Sequence, residues 1–175
     1  MKKLPNILTI FRILLAFVFV FLFLRGIHPW TLIVFCISAV TDFFDGLIAR
    51  KFKIVSDFGK FADPLADKIL VFAALILFTE AGITPSWIVI FVLFREFTIT
   101  GLRMVFSSKG VVIPAMVSGK IKTTIQMFAV IGILVLMTLG MDNDLYLSIC
   151  NYSIFIVTLV SFIDYLYRMD LKRIF

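Results

Sequence analysis

The sequence predicts an all-α integral membrane protein with six transmembrane helices, on three observations. Of 175 residues, 62% are hydrophobic and 16% are charged, whereas a soluble domain is about half apolar and about a quarter charged. The apolar residues come in long runs and not on one periodic face, each run close to the roughly 20 residues that a membrane-crossing helix needs. Turn-forming or charged residues separate the runs. Six spans use roughly 120 residues, so residues 1–175 are expected to form a single membrane domain with short loops.

The runs fall at about 9–25, 31–49, 62–79, 85–106, 119–139 and 146–167. Gly26 and Pro29 close the first, and the charged stretch from Arg50 to Lys60 closes the second. Glu80, Gly82 and Pro85 mark the third turn; Ser107-Ser108-Lys109-Gly110 with Pro114 marks the fourth, and Asp142-Asn143-Asp144 the fifth. In hydrocarbon each backbone N–H and C=O must pair within the protein, so the runs are read as helices. Met1-Lys2-Lys3 before an apolar stretch has the look of a signal peptide, but Leu24-Arg25-Gly26-Ile27-His28-Pro29 offers no small-residue cleavage site, and the segment is expected to be retained. Leu4, Ile7, Leu8 and Phe11 repeat at helical spacing among Lys2, Lys3, Asn6 and Arg12. That pattern fits a short N-terminal interfacial helix or a snorkelling basic end of the first span.

Six spans put both termini on one side. With both cytoplasmic, Lys2, Lys3, Arg50, Lys51, Lys53, Lys60, Lys109, Arg168, Lys172 and Arg173 lie at cytoplasmic ends, and only Arg25 lies near the outer side. This is the Lys/Arg bias that sets orientation. The net charge of +6 forms no solvated stripe, which argues against nucleic acid and for anionic head groups of the lipid bilayer. Cys36 and Cys150 lie far apart in apolar segments and are expected to be free thiols. His28, beside Pro29 at the outer end, carries no catalytic case.

The chemistry is concentrated at the junction of the second and third spans. Asp42 and Asp45 are three residues apart, and Asp63 and Asp67 are four apart, so each pair shares a helix face. Four converging carboxylates need counter-charge, and Mg²⁺ or Mn²⁺ suits an all-oxygen ligand set. The plainer reading is a set of solvated helix-end acids beside Arg50, Lys60 and Lys68, and the spacings together with Gly46 and Gly59 weigh against it.

These residues resemble the signature of the CDP-alcohol phosphotransferase family: D-x-x-D-G-x-x-A-R, about eight residues, then G-x-x-x-D-x-x-x-D. Asp42, Asp45, Gly46, Ala49, Arg50, Gly59, Asp63 and Asp67 occupy every specified position. The resemblance implies six spans, a site on the cytoplasmic side of the bacterial cytoplasmic membrane, and a homodimer. It implies that Asp42, Asp45 and Asp63 hold two divalent cations, with Asp67 completing the site and acting as general base. Gly46 would let the nucleotide approach the helix and Arg50 would face the CDP phosphates, with Ala49 and Gly59 in the same CDP-binding segment.

Arg95, Arg103, Lys120 and Lys122 fall within or near the fourth and fifth spans and suggest a pocket for a second anion. A lone intramembrane Arg could merely snorkel; four beside an acidic site fit glycerol 3-phosphate as acceptor. Glu96 either orients Arg95 or offsets its charge. The stretches Pro5–Arg12, Arg95–Arg103 and Gly119–Gln126 resemble those of the bacterial branch that makes phosphatidylglycerol phosphate from CDP-diacylglycerol. The alternatives are another acceptor (inositol phosphate, serine or phosphatidylglycerol) or, from another class, a divalent-cation transporter. Transport predicts ionisable residues continuing across the membrane, and the outer halves of the spans are almost bare of them.

Overall fold

A computed structural model describes residues 4–52, 57–108 and 116–168; over 4–10, 42–52 and 57–67 it describes the backbone alone. Six helices make up the described chain: α1 (Leu4–Leu24), α2 (His28–Phe52), α3 (Asp57–Glu80), α4 (Ser86–Ser108), α5 (Val117–Leu139) and α6 (Asp144–Arg168). Each covers one of the expected runs to within one residue. α1 is continuous from Leu4, so the N-terminal segment is the start of the first long helix and not a separate interfacial one. Pro5 and Pro29 stand in the first turns of their helices, where the missing N–H has no intrahelical role. α2 and α3 outrun the apolar stretches at 31–49 and 62–79 because charged residues such as Arg and Lys are good helix formers and carry the helix past the hydrophobic run.

The α1–α2, α3–α4 and α5–α6 connections are tight. Gly26, Gly82 and Gly140 have φ of 70°, 73° and 62°, a left-handed conformation that a Cβ disfavours. The next residues close the helix ends: the N–H of Ile27 donates to the carbonyl of Leu22 at 3.0 Å, that of Ile83 to Phe78 at 2.8 Å, and that of Met141 to Leu136 at 3.1 Å. Short connections make sequence neighbours antiparallel, so these three turns share one end of the bundle. The acidic motif lies toward the other.

α1 packs against α2 and α3, α5 against α6 and α2, and α4 against α6 and α3. The core is built of large rings: Phe19 lies 5.7 Å from Phe35, and Phe23 lies 5.9 Å from Phe78, centroid to centroid. Leu75, Val92, Val130, Ile133, Leu134 and Ile154 complete it. A smaller cluster of Ile99, Phe106 and Tyr165 joins α4 to α6.

Polarity is inverted relative to a soluble protein. Arg12, Arg95, Glu96, Lys122, Gln126, Asn151 and Ser161 are buried, while Phe17, Ile90, Phe97, Phe128 and Ile156 are exposed. Apolar exposure on that scale marks a surface that water does not solvate. Among the described residues α5 and α6 are long and apolar enough to cross a membrane, and Phe11–Leu24 and His28–Thr41 are shorter apolar stretches. Two helices of that kind and the apolar exterior place the protein in a membrane.

Near the glycine-turn end, Thr84 Oγ1 donates to Asn151 Oδ1 at 2.8 Å, and Asn151 Nδ2 donates to the carbonyl of Ile83 at 2.8 Å. One amide thus fastens the α3–α4 turn to α6. Asn151→Leu strands both partners, at about 1–3 kcal/mol for each buried group, and is expected to lower the melting temperature in detergent by roughly 5–10 °C. Adding Thr84→Val should cost little more, because the two residues share one network.

Candidate functional site

Carboxylates seldom sit inside an apolar bundle, and α4 carries one among buried residues at helical spacing: Ile88, Val89, Val92, Arg95, Glu96, Ile99 and Phe106. Glu96 Oε1 accepts from Arg95 Nη1 and, at 2.9 Å, from Lys122 Nζ, while Oε2 lies 3.0 Å from Lys68 Nζ. Lys122 reaches it because Lys122, Gln126, Ala129 and Ile133 form the buried stripe of α5. Lys68 comes from α3 and also donates to Thr100 Oγ1 at 2.7 Å, one turn along α4 from Glu96. Arg95 Nη2 donates to Ser161 Oγ of α6 at 2.6 Å. A single carboxylate therefore gathers side chains of four helices.

The cluster is electrically unbalanced. Three cations share one carboxylate, leaving two positive charges in excess. The side chains of Arg95, Glu96 and Lys122 are 8%, 9% and 6% exposed, and that of Lys68 is 30% exposed. Charges held away from water at such density need further anionic partners. Donors are available: among the described residues, buried Arg95 Nε has no hydrogen-bond partner, nor has Nε2 of Gln126, one turn beyond Lys122. Each ammonium has three hydrogens to give, so Lys122 and Lys68 retain capacity beyond the bonds named.

The structure brings together two of the four cations expected to bind a second anion, Arg95 and Lys122. Arg103 stands two turns further along α4, where its Nε donates to Tyr165 Oη at 2.9 Å. Lys120 is exposed on α5. Gly119 lies beside the cluster, where an added Cβ would meet Arg95 Nη2 at 3.8 Å. Sequence reasoning treated Lys68 only as a base near the acids and missed Thr100, Ser161 and Tyr165. The available signal was Glu96 itself, since a carboxylate in an apolar helix requires cations from neighbouring helices.

Asp42, Asp45, Gly46, Ala49 and Arg50 lie in α2, and Gly59, Asp63 and Asp67 in α3; their side chains lie outside the described residues. Among the described residues no cluster of three or more His, Cys, Asp or Glu could hold a metal ion. The four Asp residues have the chemistry such a site needs, all hard carboxylate oxygen, and Lys68 directly follows Asp67 on α3. The cation cluster and the acidic motif thus meet in consecutive residues of one helix.

Comparison with known proteins bears on the family. The family described as CDP-alcohol phosphatidyltransferase matches residues 2–163. A Bacillus subtilis protein named CDP-diacylglycerol–glycerol-3-phosphate 3-phosphatidyltransferase is 42% identical over 149 residues, 77% of each chain. A Rickettsia typhi protein of the same name is 39% identical over 152 residues, 85% of this chain and 84% of its own. A Mycobacterium tuberculosis protein named probable phosphatidylglycerophosphate synthase is 37% identical over 174 residues, 95% of this chain and 81% of its own.

Removing the carboxylate and removing one cation should have unequal effects on stability. Glu96→Leu leaves three buried cations uncompensated, a loss of about 3–5 kcal/mol, and should lower the melting temperature by about 10 °C. Lys122→Met leaves Glu96 with two cations and should shift melting by less than about 4 °C.

Proposed function

The chain belongs to the CDP-alcohol phosphatidyltransferase family, and on that premise we propose that it transfers the phosphatidyl group of CDP-diacylglycerol to sn-glycerol 3-phosphate. The products are phosphatidylglycerol phosphate and CMP. The observation that carries the acceptor is the cluster at Glu96, a buried site with two positive charges in excess and an idle Arg95 Nε. Relatives named for glycerol 3-phosphate transfer cover most of this chain. Serine brings no phosphate to such a site, whereas glycerol 3-phosphate brings a dianion at pH 7.

In this mechanism Asp42, Asp45 and Asp63, completed by Asp67, hold two divalent cations, Mg²⁺ or Mn²⁺. When bound, such ions neutralise pyrophosphate charge and favour in-line displacement. Gly46 offers a helix surface without a side chain for the nucleotide, Ala49 and Gly59 keep the same segment slim, and Arg50 pairs with the CDP phosphates. Arg95 and Lys122 bind the acceptor phosphate and direct its 1-hydroxyl at the phosphatidyl phosphorus, and Arg103 and Lys120, which stand apart from them, add positive charge along α4 and α5. Asp67 accepts the hydroxyl proton as the new P–O bond forms. The bond to CMP breaks, and CMP leaves with the electron pair.

The membrane arrangement follows the same logic. All six helices span the bilayer, both termini are cytoplasmic, and the acidic motif faces the cytoplasm, where glycerol 3-phosphate and the CDP head group meet. The glycine turns then face outward. The protein works as a homodimer, as the family resemblance implies.

The test is CMP release by purified protein in detergent with Mg²⁺ or Mn²⁺. Glycerol 3-phosphate should support turnover, whereas inositol phosphate, serine and buffer alone should not. A chelator should stop it, and Asp67→Asn should lower it at least about 100-fold, the usual scale of a general base. Turnover with a different acceptor would leave the family and replace the substrate. Inactivity of folded protein with all of them would favour cation transport.

A further inference from the structure

Glu96 raises a question that the proposed acceptor alone does not answer. An anion site would attract its ligand more strongly without a carboxylate in its midst, yet Glu96 holds the centre of this one. Its two oxygens divide the cations: Oε1 takes Arg95 of α4 and Lys122 of α5, and Oε2 takes Lys68 of α3. Ser161 and Thr100 hold the far sides of Arg95 and Lys68. The donors left over are the buried, unpartnered Nε of Arg95 and the remaining hydrogens of the two ammonium groups.

We propose that Glu96 is a positioning residue that assembles Lys68, Arg95 and Lys122 into a preformed site for a phosphomonoester dianion and stays in place when the dianion binds. The inference rests on the acceptor proposed above. With Glu96 present the three cations carry a net charge of two, equal and opposite to a phosphomonoester dianion. Without it, three buried cations face one another with no anion among them, and such groups move apart or give up a proton. The arrangement that holds the Arg95 guanidinium and both ammonium groups on one carboxylate is then lost. Removing a negative charge therefore weakens anion binding, the reverse of what bulk Coulomb attraction predicts.

The experiment compares wild type, Glu96→Gln and Glu96→Asp, each full length in detergent, in two assays. In the first, thermal unfolding is followed against inorganic phosphate, glycerol 3-phosphate and uncharged glycerol. Both phosphates should stabilise wild type and glycerol at equal concentration should not, while the half-stabilising phosphate concentration should rise at least tenfold in Glu96→Gln. In the second, the KM for glycerol 3-phosphate should rise at least tenfold in Glu96→Gln, with the KM for CDP-diacylglycerol changing less than twofold. Glu96→Asp keeps the charge on a shorter arm and should fall between, and it carries the test if Glu96→Gln does not fold.

A purely structural ion pair would lower stability and move both KM values together, which would overturn the proposal. So would phosphate binding that is unchanged or tighter in Glu96→Gln. If wild type responds to phosphate through Glu96 but does not turn over glycerol 3-phosphate, the acceptor assignment fails and the role of Glu96 stands. If wild type turns over glycerol 3-phosphate and the variants match it in KM, the acceptor stands and the role of Glu96 fails.

Discussion

One buried carboxylate sets the terms for four of the six described helices. The charge of Glu96 inside an apolar environment is offset by Arg95 of its own helix and by cations drawn from the helices around α4. Lys68, Arg95 and Lys122 meet that demand, and Thr100 and Ser161 hold the cations in turn. The register of α3, α4, α5 and α6 is therefore constrained at one point by charge. Van der Waals packing is more forgiving: a phenylalanine can shift by a fraction of an ångström at small cost, whereas an ammonium that loses its carboxylate has no comparable refuge. The phenylalanine core below the cluster gives bulk, and the ion pairs give alignment.

The two ends of the molecule are built to different standards. At one end three left-handed glycines close the odd-numbered helices, and Asn151 stitches a turn to α6. At the other, α2 and α3 run past their apolar stretches with charged residues. Tight, satisfied turns suit an end that only needs to stay closed. A charged, carboxylate-rich end suits one that admits polar substrates while its neighbours remain in lipid.

Much of this was legible in the sequence. Each of the six runs falls on one observed helix, overrunning it by one residue at most, and 85–106 and 119–139 differ from α4 and α5 by two residues or fewer at each end. Hydropathy succeeded there because breakers flank the runs directly. It undershot α2 and α3 because it registers where apolar residues stop, not where backbone hydrogen bonding does. The eight-position acidic signature was readable because its chemistry depends on residue type at fixed spacing. The partner set of Glu96 was not, since Lys68 and Ser161 are 28 and 65 positions away and spacing along one helix says nothing of which faces meet. The separation of Arg103 and Lys120 from Arg95 and Lys122 was hidden for the same reason: all four are cations near α4 and α5, and only the fold distinguishes a residue on Tyr165 from one on Glu96.

The charges of α4 bear on how the protein reaches its membrane. In the six-span arrangement, Arg95, Glu96 and Arg103 all travel on one helix, and a charged residue near the centre of a span costs about 2.5–3.5 kcal/mol during insertion. α5 and α6 are long and apolar enough to cross a membrane, whereas α4 carries Arg95, Glu96 and Arg103. Arg95 and Glu96 pair within α4, but Lys68 and Lys122 reach Glu96 only when α3 and α5 lie beside it. The ion cluster is therefore complete only once α3, α4 and α5 have come together, so it forms after those three helices have been made and not as any one of them enters the membrane.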